Sequence, residues 1–130
     1  MPESADDEVL VVEDDPELND LVGAYVQLAG FKYARALDGA NAIRLATERQ
    51  PALIVLDVML PDRDGFDVCR QLKTDARTAS IPIVMLTALD REEHRAKGRA
   101  AGAIDYLTKP FDPDRLVKVI HDHASTGPAK

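Results

Sequence analysis

Tryptophan is absent from the 130-residue chain, and cysteine occurs once, at Cys69. A lone cysteine excludes an internal disulfide framework, so a reducing, cytoplasmic setting is expected. No apolar run approaches the ~20 residues needed to cross a bilayer, and no membrane span is expected. Residues 1–8 are acidic and polar rather than basic and then apolar, unlike a secretory leader. Basic side chains are in deficit as well, 16 against 23 acidic ones, for a net charge of −7. That balance repels phosphate backbones, so direct nucleic-acid binding by this chain is not expected; proteins and cations are the favoured partners. The length suits one core and is short for two.

What the chain does have is three nearly unbroken apolar runs, at residues 9–12, 53–56 and 81–86, the last interrupted only by Pro82. Such runs mark parallel strands covered on both faces; a half-exposed antiparallel strand would alternate apolar with polar. Between them the period is helical. Asp15-Pro16 supplies a cap and a first-turn proline, followed by a stripe of Leu18, Leu21, Val22, Tyr25 and Leu28. Asp38-Gly39 opens a second helix with Ala42, Ile43 and Ala46 inward, and a third begins near Gly65 with Phe66, Cys69 and Leu72 inward. Asp90 with Glu93 forms a capping box for a fourth. Asp112-Pro113 starts a fifth, carrying Leu116, Val117 and Ile120 on one face. Two weaker strands, residues 33–36 and 103–107, complete five alternations of strand and helix, which predicts a doubly wound α/β fold. The expected organisation is one domain over residues 8–124, between a flexible N-terminus at 1–7 and a flexible tail at 125–130.

An open parallel sheet presents its ligand site at the carboxyl ends of its strands. The first strand ends in Glu13-Asp14-Asp15, the third in Asp57, the fourth in Thr87, and the fifth in Thr108-Lys109-Pro110. Two carboxylates ~5 Å apart at an effective dielectric of about 20 repel by roughly 3 kcal/mol, so such a cluster calls for a cation. Oxygen ligands without histidine or thiol suit a hard ion such as Mg²⁺, with Mn²⁺ as its substitute. Phosphoryl transfer needs an in-line nucleophile, a metal, and further positive charge or donors on the phosphate oxygens. Asp57 as nucleophile, Asp14 and Glu13 as metal holders, and Thr87 and Lys109 on the oxygens meet that requirement, with an acyl phosphate as product.

Each residue alone also has a plainer reading. The acidic turn could be solvated, with Asp15 only a helix cap; Asp57 could end a strand; Thr87 could bond a turn; Lys109 could be a surface lysine. Their convergence at the strand ends favours the functional reading. Tyr106 reads equally well as an ordinary half-buried strand aromatic. His94, His121 and His123 read as surface residues, Cys69 as core, and the charge run at 91–99 as a solvated helix face.

Val9-Leu10-Val11-Val12-Glu13-Asp14-Asp15, Leu56-Asp57-Val58-Met59-Leu60-Pro61-Asp62-Arg63-Asp64-Gly65, Met85-Leu86-Thr87-Ala88 and Asp105-Tyr106-Leu107-Thr108-Lys109-Pro110-Phe111 together resemble the receiver domains of two-component response regulators. The resemblance covers nearly the whole chain. It implies a five-stranded flavodoxin-like sheet in order 2-1-3-4-5 with five helices. It implies phosphorylation of Asp57 by a histidine kinase, a phosphotransfer protein or a small phosphodonor, without turnover as an enzyme. Mg²⁺ would be held by Asp14, Asp57 and the Met59 carbonyl, with Glu13 acting through water. Also implied are a cis Lys109–Pro110 bond and a switch in which Thr87 moves toward the phosphate as Tyr106 turns inward. The changed surface would be the fourth helix, fifth strand and fifth helix, offered to a downstream protein, a fused output domain or a second copy of the chain.

Met59 and Leu89, two positions after Asp57 and Thr87, are apolar and cannot position an attacking water, so slow self-dephosphorylation is expected. Asp62 and Arg63 stand where relatives often have glycine and an apolar residue; Asp62 is expected to add a carboxylate near the rim, and Arg63 to lie in solvent. Gly98 is expected to weaken the fourth helix. Ile104, where an acidic residue is common, would give the switching face an apolar point. Three alternatives share the architecture: a flavodoxin-like electron carrier, an acyl-phosphate hydrolase, and a receiver-like interaction module that is never phosphorylated. The acidic first turn argues against the first and Met59 against the second.

Overall fold

The computed structural model describes residues 8–88 and 92–125, apart from the side chain at position 125. Residues 1–7, 89–91 and 126–130 lie outside them, and with them the expectations for the two ends, for Leu89 and for the Asp90 capping box. The order is β1 (Glu8–Val12), α1 (Pro16–Leu28), β2 (Lys32–Ala36), α2 (Gly39–Arg49), β3 (Leu53–Asp57), α3 (Gly65–Thr74), β4 (Ile83–Thr87), α4 (Glu92–Ala101), β5 (Asp105–Thr108) and α5 (Pro113–Ser125). All strand pairs are parallel, in the order β2-β1-β3-β4-β5. The doubly wound α/β expectation and its strand order agree with this sheet.

β1, β3 and β4 are buried along their whole length, which is why their sequences read as apolar runs. β4 begins at Ile83, after Pro82 rather than before it. β2 lies at an edge and is mostly half-buried. One hydrophobic cluster, with Leu10, Ile54, Leu56, Phe66, Leu72 and Met85, fills one face of the sheet; another, with Val11, Val55, Leu86, Leu116 and Ile120, fills the other.

The stripe on α1 is turned from the expected one. Its buried residues are Asn19, Val22, Gly23 and Val26, whereas Leu21 and Leu28 are exposed and Leu18 and Tyr25 are half-buried. The helix comes close to the sheet through small residues. A Cβ on Gly23 would lie 2.3 Å from the Tyr33 ring, so Tyr33 takes the place a larger α1 residue would fill. Leu21 instead borders an open apolar groove of about 480 Å³ with Leu18, Tyr25, Pro110 and Phe111. α2 and α3 follow their predicted stripes, with Ala42 and Ala46 of α2 and Phe66, Cys69 and Leu72 of α3 buried; on α5 Leu116 and Ile120 are buried as expected, but Val119 rather than Val117 completes the buried face. Among the described residues no helix is long and apolar enough to cross a membrane.

Candidate functional site: an acidic rim bridged by one lysine

Glu13, Asp14 and Asp57 meet at the carboxyl ends of β1 and β3, with one carboxylate oxygen from each inside a 4.8 Å span. Glu13 and Asp57 are 2% and 3% exposed, while Asp14 is exposed. Lys109 Nζ bridges the two buried carboxylates, donating to Glu13 Oε1 at 2.8 Å and Asp57 Oδ2 at 3.1 Å. The other oxygens are engaged by the backbone. Asp15 N–H donates to Glu13 Oε2 at 3.0 Å, and Met59 N–H to Asp57 Oδ1 at 3.1 Å. Glu13, Asp14, Asp57, Met59 and Lys109, with Leu60, Pro61 and Ala88, line an open cleft of about 340 Å³.

Three carboxylates against one ammonium leave excess negative charge. Burial, and then the hydrogen bond to Asp57, push the Glu13 carboxyl above its ordinary value. The hydrogen bond to Glu13, and then burial, do the same to Asp14. For Lys109, burial opposes the charge, but the Glu13 and Asp57 carboxylates outweigh it and hold the ammonium above its usual range. A donor set of carboxylate oxygens fits a hard divalent cation, so Glu13, Asp14 and Asp57 could hold one. Among the described residues this is the one grouping of side chains with metal-holding geometry.

Thr87 is buried at the end of β4, and its carbonyl accepts the Lys109 N–H at 2.6 Å. The Lys109–Pro110 peptide is cis. Tyr106 is half-buried against the core, with the Arg95 guanidinium 5.0 Å from its ring centre. Met59 is 69% exposed at the cleft. Ile104, also exposed, lines a small groove with Arg95, Gly98, Arg99, Asp105 and Tyr106.

Three expectations are corrected. Asp62 does not join the rim; its oxygens accept the N–H groups of Gly39 at 2.8 Å and Ala40 at 3.1 Å, because the unpaired donors at the start of α2 attract a carboxylate. Arg63 is half-buried rather than solvated, packed where a Gly39 side chain would stand and bonded to Gln71. His94 and His123 are half-buried rather than fully exposed. His94 stacks on Phe66 with its Nδ1 buried, and His123 pairs with Asp105 at 3.1 Å; only His121 is exposed. Sequence reasoning also missed Asn19, which sits behind the acidic turn, and the Asp64 cap on Phe66 N–H that starts α3.

The family model for the response regulator receiver domain matches residues 9–121. The chain belongs to that family. This receiver domain is 47% identical over 109 residues to the DNA-binding dual master transcriptional regulator RpaA of Synechocystis sp., a match covering 84% of the chain and 45% of that protein. The chain thus spans about half the length of the first curated relatives it matches. A putative response regulator from Chloroflexus aurantiacus superposes with a TM-score of 0.86 at 32% identity, over 91% of this chain and 97% of that one. The receiver domain of a Pseudomonas aeruginosa sensor histidine kinase, solved with a magnesium ion in its active site cleft, superposes with a TM-score of 0.83 at 29% identity. That match covers 92% of this receiver domain and 98% of the other.

Proposed function

We propose that Asp57 of this receiver domain accepts a phosphoryl group from a histidine kinase, a phosphotransfer protein or a small phosphodonor, and that residues 8–124 act as the switching unit. The observation that carries this reading is the bridged acidic cluster, in which a buried aspartate faces an open cleft beside two further carboxylates and one ammonium. The magnesium-bearing relative supports the choice of cation. Asp14, Asp57 and the Met59 carbonyl would hold Mg²⁺, with Glu13 acting through water, and the bound ion would supply positive charge for the phosphate oxygens.

The chain's own residues do the rest. An Asp57 carboxylate oxygen attacks phosphorus, and the donor's leaving group departs with the bonding electron pair. Met59 N–H orients the Asp57 carboxylate, and Lys109, released from part of its present pairing, follows the transferred charge. Thr87, one strand over, donates its hydroxyl to a phosphate oxygen, and Tyr106 turns inward behind it. The surface of α4, β5 and α5 changes in response and meets a downstream protein, a fused output domain or a second copy of the chain. The domain is a phosphoryl acceptor and not a turnover enzyme, and Met59 gives its acyl phosphate a long life.

Incubation with acetyl phosphate and Mg²⁺ followed by intact-mass measurement tests the reading. One added phosphoryl group is expected, lost on chelation of the metal before reaction and lost in Asp57→Asn. Uptake that persists in Asp57→Asn would sink the assignment; no uptake at all would leave the interaction module.

A further inference from the structure

Asn19, on the opening turns of α1, has no accessible surface. Its amide nitrogen lies 3.2 Å from the Val11 carbonyl oxygen, 3.0 Å from that of Glu13 and 3.1 Å from that of Ala36. Two N–H hydrogens therefore serve three acceptors, which fixes the amide's orientation. All three carbonyls lie at or beside the carboxyl ends of β1 and β2, and a carbonyl oxygen has a second lone pair with which to accept such a donor. On its far side, Asn19 Oδ1 accepts the Tyr33 hydroxyl. Tyr33 reaches it because Gly23 leaves room for the ring.

The consequence falls on Glu13. Its N–H donates to Ala36 O at 3.1 Å, its carbonyl accepts from Asn19, and its carboxylate takes Asp15 N–H and Lys109. Every polar group of Glu13 is thus tied, and Asn19 supplies the tie that links the turn to both strand ends. We infer that Asn19 is a positioning residue for the cation site, holding the Glu13 backbone so that the Glu13 and Asp14 carboxylates meet Asp57. This rests on reading the acidic cluster as that site. Tyr33 assists by orienting the amide.

Asn19→Leu removes the tie, and Tyr33→Phe weakens it with less damage to the core. Mg²⁺ affinity by calorimetry is the main readout; outer partners of metal ligands typically change it by about 10- to 100-fold. A loss in that range is expected for Asn19→Leu, and a smaller one for Tyr33→Phe. Faster amide hydrogen exchange at Glu13 and Asp15 is expected in both variants, with or without metal. Val119→Ala, in the core on the other face of the sheet from the α2 and α3 packing, serves as a destabilised control and should keep wild-type affinity. If Asn19→Leu does not fold, Tyr33→Phe carries the test. Wild-type affinity and exchange in the folded variant would overturn the positioning role. Absence of Mg²⁺ binding by the wild-type chain would overturn the underlying reading, and this one with it.

Discussion

The ends of β1 and β3 and the region around α4 are built by different means. Near the acidic rim, buried polar groups cross-brace the chain: Asn19 ties two strand ends, Asp62 ties the β3–α3 loop to α2, and Asp64 caps α3. α4 buries only Gly98 and Ala101 among its described residues, and surface contacts such as Arg99 with Glu92 at 3.2 Å lie along it. One region holds its carboxylates in place; the other rests on small residues and solvated pairs, the kind of element that opens at low cost. A switch needs both, and here the first lies at the carboxyl ends of β1 and β3 while the second follows the carboxyl end of β4.

Two glycines expose the contrast most sharply. A Cβ on Gly65 would lie 2.2 Å from the Asp57 carbonyl oxygen and 2.7 Å from Val58 Cα, both backbone atoms that cannot turn aside. Gly65→Ala is expected to cost about 3 kcal/mol, read by urea unfolding, and to disturb Asp57 directly. A loss under a third of that would show the rim to be looser than described. A Cβ on Gly98 would meet Met85, Phe66 and Tyr106 only at 3.6 to 3.9 Å, ordinary contact distances. Gly98→Ala is therefore expected to stabilise the domain by roughly 1 kcal/mol through helix propensity, raising Tm by about 4 °C. A lowered Tm would mean that α4 is as tightly fitted as the rim.

The smallest effect concerns Asp62. The Gly39 N–H, against the opposing effect of burial and with help from Ala40, holds its carboxyl below the usual carboxylate range. A lowered folded-state value means that its stabilisation is present above the unfolded value of about 3.9 and fades as pH falls through the folded one. Wild type should thus exceed Asp62→Ala in Tm at neutral pH, with the gap closing only in acid below that value. A gap independent of pH would assign the difference to packing of the loop instead.

Most of the fold was legible because buried parallel strands leave a plain mark, an apolar run ended by a charged or hydroxyl residue. Asp57 and Thr87 could be located that way, and Lys109 by the proline after it. The α1 stripe was not, because periodicity counts large apolar residues. This helix packs through Gly23 and a buried asparagine, leaving Leu21 and Leu28 outside. Asn19 reads in sequence as part of a polar face; its role depends on carbonyls from positions 11, 13 and 36, which only the folded sheet brings together. Asp62 was misjudged for a related reason, since the donors that attract it belong to α2, 22 and 23 residues earlier in the chain. Charge shows in a sequence; the partner that uses it often does not.

The central claim concerns a single carboxylate, and peptide mapping addresses it most directly. After reaction with acetyl phosphate and Mg²⁺, borohydride reduction converts an aspartyl phosphate to a stable alcohol that fragmentation can locate. The account expects that mark at Asp57 alone. A mark at Glu13, Asp14 or any other residue, or none under conditions that phosphorylate a related receiver domain, would contradict it.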